Sequence, residues 1–181
     1  MRRLISLVLA ATLAVSFGAS VAGAQSAGSR YISTLSNLSF SVPDGWELSA
    51  PVPRDQPVIE AVPATLPGQA RAASVIVTQL NGDSTGITVD DYKAAIDAAA
   101  GRTGTLVASS VQRIPAAASP SGAYTGVLQI LSVQRDGSAY EHVQFVFPVA
   151  DREYTIGVTG GPGSAQDNVN DLGVIVGTLG F

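Results

Sequence analysis

The residues that could perform chemistry are few in this chain. His142 is the single histidine and there is no cysteine, so metal sites built from these two residue types have too few ligands. A Ser-His-Asp arrangement would need His142, the one available imidazole, as its base. We therefore predict no catalytic, cofactor-binding or metal-ligating residue. His142, between Glu141 and Val143, is interpreted as a hydrogen-bonded structural residue, with a secreted hydrolase using His142 as the alternative.

Oxygen-ligand and anion sites are the remaining chemistry. A calcium site needs an acidic loop, and both the 81–83 turn and the pair Asp167 and Asp171 are too sparse for one. The glycine-rich run 160–164 precedes a helix N-terminus, where backbone N–H groups can hold an anion. It has no lysine and no strand-loop-helix crossover, so we interpret it as a plain helix entry.

Residues 1–24 have the three regions of a secretory signal peptide. Arg2 and Arg3 form a basic start, 4–21 is an apolar run, and 22–24 reads Ala-Gly-Ala, a small-residue cleavage site. We predict cleavage near Ala24/Gln25 and a secreted protein, extracellular or in the cell envelope, whose mature chain has no transmembrane segment. An uncleaved membrane anchor is the alternative, because the run approaches the roughly 20 apolar residues of a span.

Length and charge restrict the class of protein. Residues 25–34 are small and polar and predict a flexible lead, and 35–181 has the size of one domain. The chain has 14 acidic and 10 basic residues, two of the basic ones being in the leader, and no stretch concentrates positive charge. This balance argues against nucleic acid as a partner, which would call for a basic patch.

The stretch LSFSVPDGWEL, at 38–48, predicts a strand that ends in a corner. Apolar and serine residues alternate over its first half, which predicts one buried face. Pro43 cannot donate a ladder hydrogen bond, and Asp44 with Gly45 favours a turn. We predict that Trp46, the only tryptophan, fills the core; stacking on a ligand is the alternative.

The stretch 50–73 contains five prolines, which disfavours a helix or a central strand. We predict a surface loop with one edge strand near 58–62. Loops of this length are uncommon unless they have a function, so this one is a candidate binding surface, with a tolerated surface excursion as the alternative. The β-branched run 73–80 then predicts a buried strand.

Two amphipathic helices are predicted, at 89–100 and 165–178, each with apolar residues at spacings of three and four. Both begin at a capping-box spacing, which is Thr88 with Asp91 for the first and Ser164 with Asp167 for the second. The first helix also carries Asp90, Lys93 and Asp97 opposite its apolar stripe. We interpret them as a solvated face rather than as a metal or acid–base site.

Extended patterns fill the chain between these helices. The candidate strands are 105–114, 123–135, 139–149 and 153–159. Short turns at 135–138 and 150–152 join the last three as an antiparallel meander, apolar on one face and mixed on the face that carries His142. Because each helix stripe must be covered, we predict an α+β fold, an α/β/α sandwich with a largely antiparallel sheet between two main helices.

The order of these features is similar to that of a known family. A P-x-G-W corner at 43–46 is followed by a mid-chain strand and helix, a Y-x-I-x-V strand at 154–158 and a short C-terminal helix ending in T-x-x-F at 178–181. The chain resembles the PsbP-like superfamily, in particular exported actinobacterial envelope proteins of the LpqN/LpqT type. The resemblance implies an α/β/α sandwich in mostly non-enzymatic binding or accessory factors. LpqN-type proteins are usually lipoproteins, and this chain lacks the acceptor cysteine.

Two functions follow as hypotheses. The first is a non-enzymatic exported cell-envelope binding or accessory protein that engages an envelope protein or an apolar small molecule such as a lipid. The second is the hydrolase that uses His142. A roomy cavity between helix 165–178 and the sheet would favour a carrier of an apolar ligand, and a solid core would favour protein–protein contact.

Overall fold

A computed structural model describes residues 30–51, 58–79, 89–114 and 126–181. Within these ranges the elements are, in chain order, β1 (Arg30–Ile32), β2 (Ser39–Ser41), β3 (Glu47–Leu48), β4 (Val58–Leu66), β5 (Arg71–Gln79), α1 (Val89–Thr103), β6 (Thr105–Ile114), β7 (Gly126–Arg135), β8 (Ser138–Val149), β9 (Arg152–Gly160) and α2 (Ala165–Gly177). The leader at 1–24, the turn at 81–83 and the capping residue Thr88 lie outside the described residues.

Seven of the strands form one antiparallel sheet, in the order β3-β4-β5-β9-β8-β7-β6. The predicted meander is confirmed as β7, β8 and β9, which pair in sequence. The turn between β7 and β8 has a φ of 50° at Asp136 and 77° at Gly137, as a two-residue type I′ hairpin requires.

The two helices cover opposite faces of this sheet. Side chains alternate along a strand, so Phe145 and Val146 of β8 point to opposite sides. Phe145 packs in the core under α2, and Val146 packs in the core under α1. We call these two sides the α2 face and the α1 face. The predicted α/β/α sandwich is confirmed.

The N-terminal segment is ordered earlier than expected. Residues 30–34 belong to the predicted flexible lead, yet 30–32 form β1, which pairs with β2. The ring of Tyr31 packs on Phe40 at a centroid distance of 5.1 Å, and its hydroxyl donates to Glu60. Because these partners are distant in sequence, the composition of the lead does not indicate them. Residues 25–29 lie outside the described part of the chain.

Within the described part of the proline-rich stretch, the strand predicted near 58–62 is longer than expected. β4 runs from Val58 to Leu66 and pairs with β5 along its length, with a register shift between Val58 and Glu60. Pro63 is tolerated next to the short strand β3, where its carbonyl accepts from the N–H of Ser49 at 2.9 Å and only the donor that a proline lacks is missing. The predicted strand near 58–62 is confirmed, whereas the predicted surface loop, and with it the hypothesis of a binding loop, is wrong over 63–66.

Candidate functional site

His142 lies on the α1 face of β8 and is 3% exposed. Its Nδ1 is 2.7 Å from Oγ1 of Thr159, and its Nε2 is 3.1 Å from Oε1 of Gln144. Burial lowers the pKa of His142, and the hydrogen bond to Gln144 opposes this shift only in part. The imidazole is therefore a neutral, hydrogen-bonded group within the sheet, as the interpretation of a structural histidine requires.

The contacts of His142 resemble a nucleophile–base pair only in outline. A hydroxyl touches one ring nitrogen and an amide oxygen holds the other, so no carboxylate orients the ring as it does in Ser-His-Asp sites. Gln144 was recognisable in the sequence, because residues i and i+2 of a strand share a face. Thr159 was not, because its contact depends on the register of β8 against β9, which pairs it with His142.

A row of buried polar side chains crosses the α1 face next to His142. Gln129 of β7 stands directly opposite Gln144 of β8, and both are almost fully buried. Nε2 of Gln129 donates to Oδ1 of Asp97 at 3.3 Å and to Oγ of Ser109 at 3.1 Å. Asp97 also accepts from Lys93. The predicted solvated face of the first helix is therefore wrong for Asp97, which bonds to a buried side chain of the sheet.

A second polar cluster surrounds Glu60, a carboxylate of β4 that is 1% exposed. Three hydroxyls donate to it: that of Tyr31, that of Ser33 at 2.6 Å and that of Ser36 at 2.7 Å. Burial raises the pKa of Tyr31, and the adjacent carboxylate raises it further. Arg152 donates to the backbone oxygen of Ser36 at 2.9 Å. The cluster attaches the N-terminal segment to the sheet, and the sequence did not indicate it.

Trp46 is 2% exposed, which confirms its predicted place in the core. Its indole N–H donates to Oδ2 of Asp171 at 3.2 Å. The guanidinium of Arg71 lies 5.5 Å from the ring centroid and forms an ion pair with the same Asp171 oxygen at 2.8 Å. Arg71 also donates to Oδ1 of Asn168. Asp171 thus connects α2 to Trp46 in the core and to Arg71 on β5.

The start of α2 differs from the predicted capping box. Ser164 is the N-cap but makes no capping hydrogen bond, and its hydroxyl donates instead to the backbone oxygen of Gly161 at 2.7 Å. The carboxylate of Glu141, on β8, accepts from the backbone N–H of Ala165 at 2.6 Å. An internal acidic side chain therefore occupies the helix N-terminus, which is the place where a glycine-rich run holds an anion.

The space between α2 and the sheet is nearly filled. A gap of about 10 Å³ lies beside the corner, lined by apolar side chains that include Trp46, Val62 and Ile175. That volume is at the lower limit for one water molecule, whereas ligand pockets measure roughly 300 Å³ or more. Of the two predicted outcomes for this place, the structure shows the solid core.

Two further features concern metals and membranes. Across 30–51, 58–79, 89–114 and 126–181, no group of three histidine, aspartate or glutamate residues is placed to hold a metal ion. Neither α1 nor α2 has the length and apolar character that a membrane crossing needs.

No family model matches the sequence, and no curated protein does. Solved structures do match the fold. LpqN of Mycobacterium tuberculosis, described as involved in cell envelope biogenesis, aligns with a TM-score of 0.54 and 13% identity over 83% of this chain and 88% of its own.

Two other structures have the same architecture. The solution structure of cyanobacterial PsbP from Synechocystis sp. PCC 6803 aligns with a TM-score of 0.52 and 14% identity, over 91% of this chain and 96% of its own. A Bacteroides thetaiotaomicron protein gives a TM-score of 0.52 and 12% identity over 84% of this chain. This chain spans about half (48%) of the length of that protein. At such identities the likeness concerns the fold alone, and the chain has the α+β fold of PsbP and LpqN.

Proposed function

We propose that this chain is a non-enzymatic accessory protein of the cell envelope, exported by the leader at 1–24, that works by binding another envelope protein. The observation that carries the proposal is the filled space between α2 and the sheet, because a gap of about 10 Å³ has no room for an acyl chain. The LpqN structure, whose protein is involved in cell envelope biogenesis, supports the compartment.

The chemistry of the sheet supports a binding role over a catalytic one. His142 is 3% exposed and both of its ring nitrogens have hydrogen-bond partners. A general base must reach a substrate proton within hydrogen-bond distance, and a buried imidazole has no such access. Surface recognition of a protein partner requires neither a cavity nor a reactive group.

The partner is tested by chemical cross-linking in the native host, followed by purification of the tagged protein and identification of the cross-linked species. We expect a defined envelope protein that is also captured when the tag is moved to the partner. Trp46→Ala, which removes a large core side chain at the 43–46 corner, is the negative control. A partner that recognises the folded surface should not bind this destabilised variant. Recovery of the protein without any reciprocal partner would contradict the proposal.

Native mass spectrometry of the same purified protein tests the competing hypothesis of an apolar ligand. We expect the mass of the polypeptide alone. A stoichiometric lipid adduct that survives gentle desalting would show a carrier and would overturn the binding mode proposed above.

The hydrolase hypothesis is tested with a panel of ester and glycoside substrates. Turnover that disappears in both His142→Ala and Thr159→Val, while the folded state is retained by circular dichroism, would establish it. We expect no turnover above that of the buffer.

Export is tested separately by intact mass analysis of protein from the culture medium and the cell-wall fraction. We expect an N-terminus at Gln25, and an Ala24→Lys variant that is retained in the cell because cleavage fails. A full-length chain in the membrane fraction would instead support the anchor alternative.

A further inference from the structure

Two buried glutamines that face each other on the sheet each keep one polar atom without a partner. Gln129 is 0% exposed and Gln144 is 1% exposed, and they are paired residues of β7 and β8. Oε1 of Gln129 and Nε2 of Gln144 have no hydrogen-bond partner among the residues that the structure describes. One is an acceptor and the other is a donor, and both are on the α1 face of neighbouring strands.

The other end of each amide is held in place, which fixes the orientation of both. Nε2 of Gln129 donates to Asp97 and Ser109, whose oxygens accept and so require the nitrogen on that side. Oε1 of Gln144 lies 3.1 Å from Nε2 of His142. Because an amide oxygen can only accept, Nε2 of His142 carries the proton and Nδ1 accepts from the hydroxyl of Thr159.

Leaving both atoms unsatisfied in the sheet interior is unfavourable, because a buried polar group without a hydrogen bond loses its hydration with no compensation. A group that donates one hydrogen bond and accepts another satisfies both amides at once. A hydroxyl has this property, whereas a cation can only donate or coordinate and an anion can only accept.

We propose that the pair formed by Gln129 and Gln144 is a binding site for one buried hydroxyl, that of a water molecule, which donates to Oε1 of Gln129 and accepts from Nε2 of Gln144. Buried waters of this kind recur about once per 27 residues in globular proteins and satisfy otherwise unpaired groups. The bridge makes one hydrogen-bonded chain from Lys93 on α1 through Asp97, both glutamines and His142 to Thr159 on β9.

The bridge has a second consequence, at His142. Because the bridging hydroxyl accepts from Nε2 of Gln144, the amide cannot turn its nitrogen towards the imidazole. His142 is therefore held in the tautomer protonated at Nε2. This inference is independent of the proposed partner-binding function, since it concerns the interior of the sheet.

The experiment is a crystal structure of the protein at a resolution that defines ordered water, combined with ¹⁵N NMR of His142. We expect a density peak within about 2.7–3.2 Å of both free amide atoms, and ring nitrogen shifts of the Nε2–H tautomer. A direct hydrogen bond between the two glutamines, or no density between them, would overturn the proposal. The Nδ1–H tautomer would overturn it too, because it reverses the amide of Gln144.

Variants keep the test independent of crystallisation. Nuclear Overhauser contacts between the side-chain amide protons of Gln144 and a long-lived water are expected in the wild-type protein and lost in Gln129→Leu. Gln134→Leu is the matched control, because Gln134 lies on the same strand but is exposed, and it should leave these contacts unchanged. Contacts that persist in Gln129→Leu would contradict the bridge.

Discussion

The imidazole of His142 packs so closely on the backbone of Gly157 that a β-carbon added to this glycine would come within 2.8 Å of the Cε1 atom of the ring. The two residues are on adjacent strands, β8 and β9, and both are buried. The absence of a side chain at Gly157 is therefore what allows a buried imidazole to lie within this face of the sheet.

Gly157→Ala should lower the free energy of unfolding by about 1–3 kcal/mol, because overpacking forces either the ring or the strand to move. Urea denaturation measures the change. Gly161→Ala is the control, since a β-carbon there meets nothing within 4 Å, and it should stay within about 0.5 kcal/mol of wild type. Equal effects of the two substitutions would refute the packing account.

Stability should fall as the pH drops below the ordinary histidine pKa of about 6.5. Burial lowers the pKa of His142 in the folded protein, so the unfolded chain takes up the proton first. The stabilisation is present above that pH and is lost towards the lower pKa of the folded state, with a slope of at most about 1.4 kcal/mol per pH unit. Urea unfolding at pH 7.5, 6.5 and 5.5 should show this slope, and His142→Gln should flatten it.

Glu60→Gln should weaken the attachment of the N-terminal segment by about 1–2 kcal/mol, because three hydroxyl bonds to a buried carboxylate lose their charge assistance. Hydrogen exchange followed by mass spectrometry should show that the variant exchanges faster than the wild-type protein, with a larger increase in 31–41 than in β8. Ser36→Ala, which removes one donor, should have a smaller effect on the same peptides. Faster exchange spread evenly over the chain would argue against a local attachment.

Glu141→Ala should cost more stability than Ser164→Val, because Glu141 and not Ser164 accepts from the first turn of α2. We expect a loss of about 1 kcal/mol for Glu141→Ala. Thermal unfolding of both variants decides the order. A larger loss of stability for Ser164→Val would instead support the capping box that the sequence predicts.

Individual strands show which parts of the fold the sequence pattern predicts. Alternation at 38–42 and 154–158 predicted buried strand faces, and the structure confirms both. The strand near 58–62 was predicted, but the prediction of a loop at 63–66 failed because it treated Pro63 as a strand breaker. Whether Pro63 breaks a strand depends on whether a neighbouring strand needs its N–H, and that is a property of the pairing of β3 with β4.

The hydrogen-bond partners in the candidate site were harder to predict from the sequence. His142 was singled out because it is the only histidine, but its partner Thr159 is 17 residues away. Glu60 is a single acidic residue among hydrophobic neighbours, and the serines that bind it are more than 20 residues earlier in the chain. Strand register and the docking of β1 and β2 bring these groups together.

The sequence by itself determined the two helices, the antiparallel meander and the sandwich of helices around a sheet, because these follow from preferences and periodicities among near neighbours. Only the tertiary structure decided which polar groups meet inside and that the core beside α2 is filled. Hydrogen-bond partners and cavity volume depend on how distant segments align, and the spacing of residues along the chain does not specify that alignment.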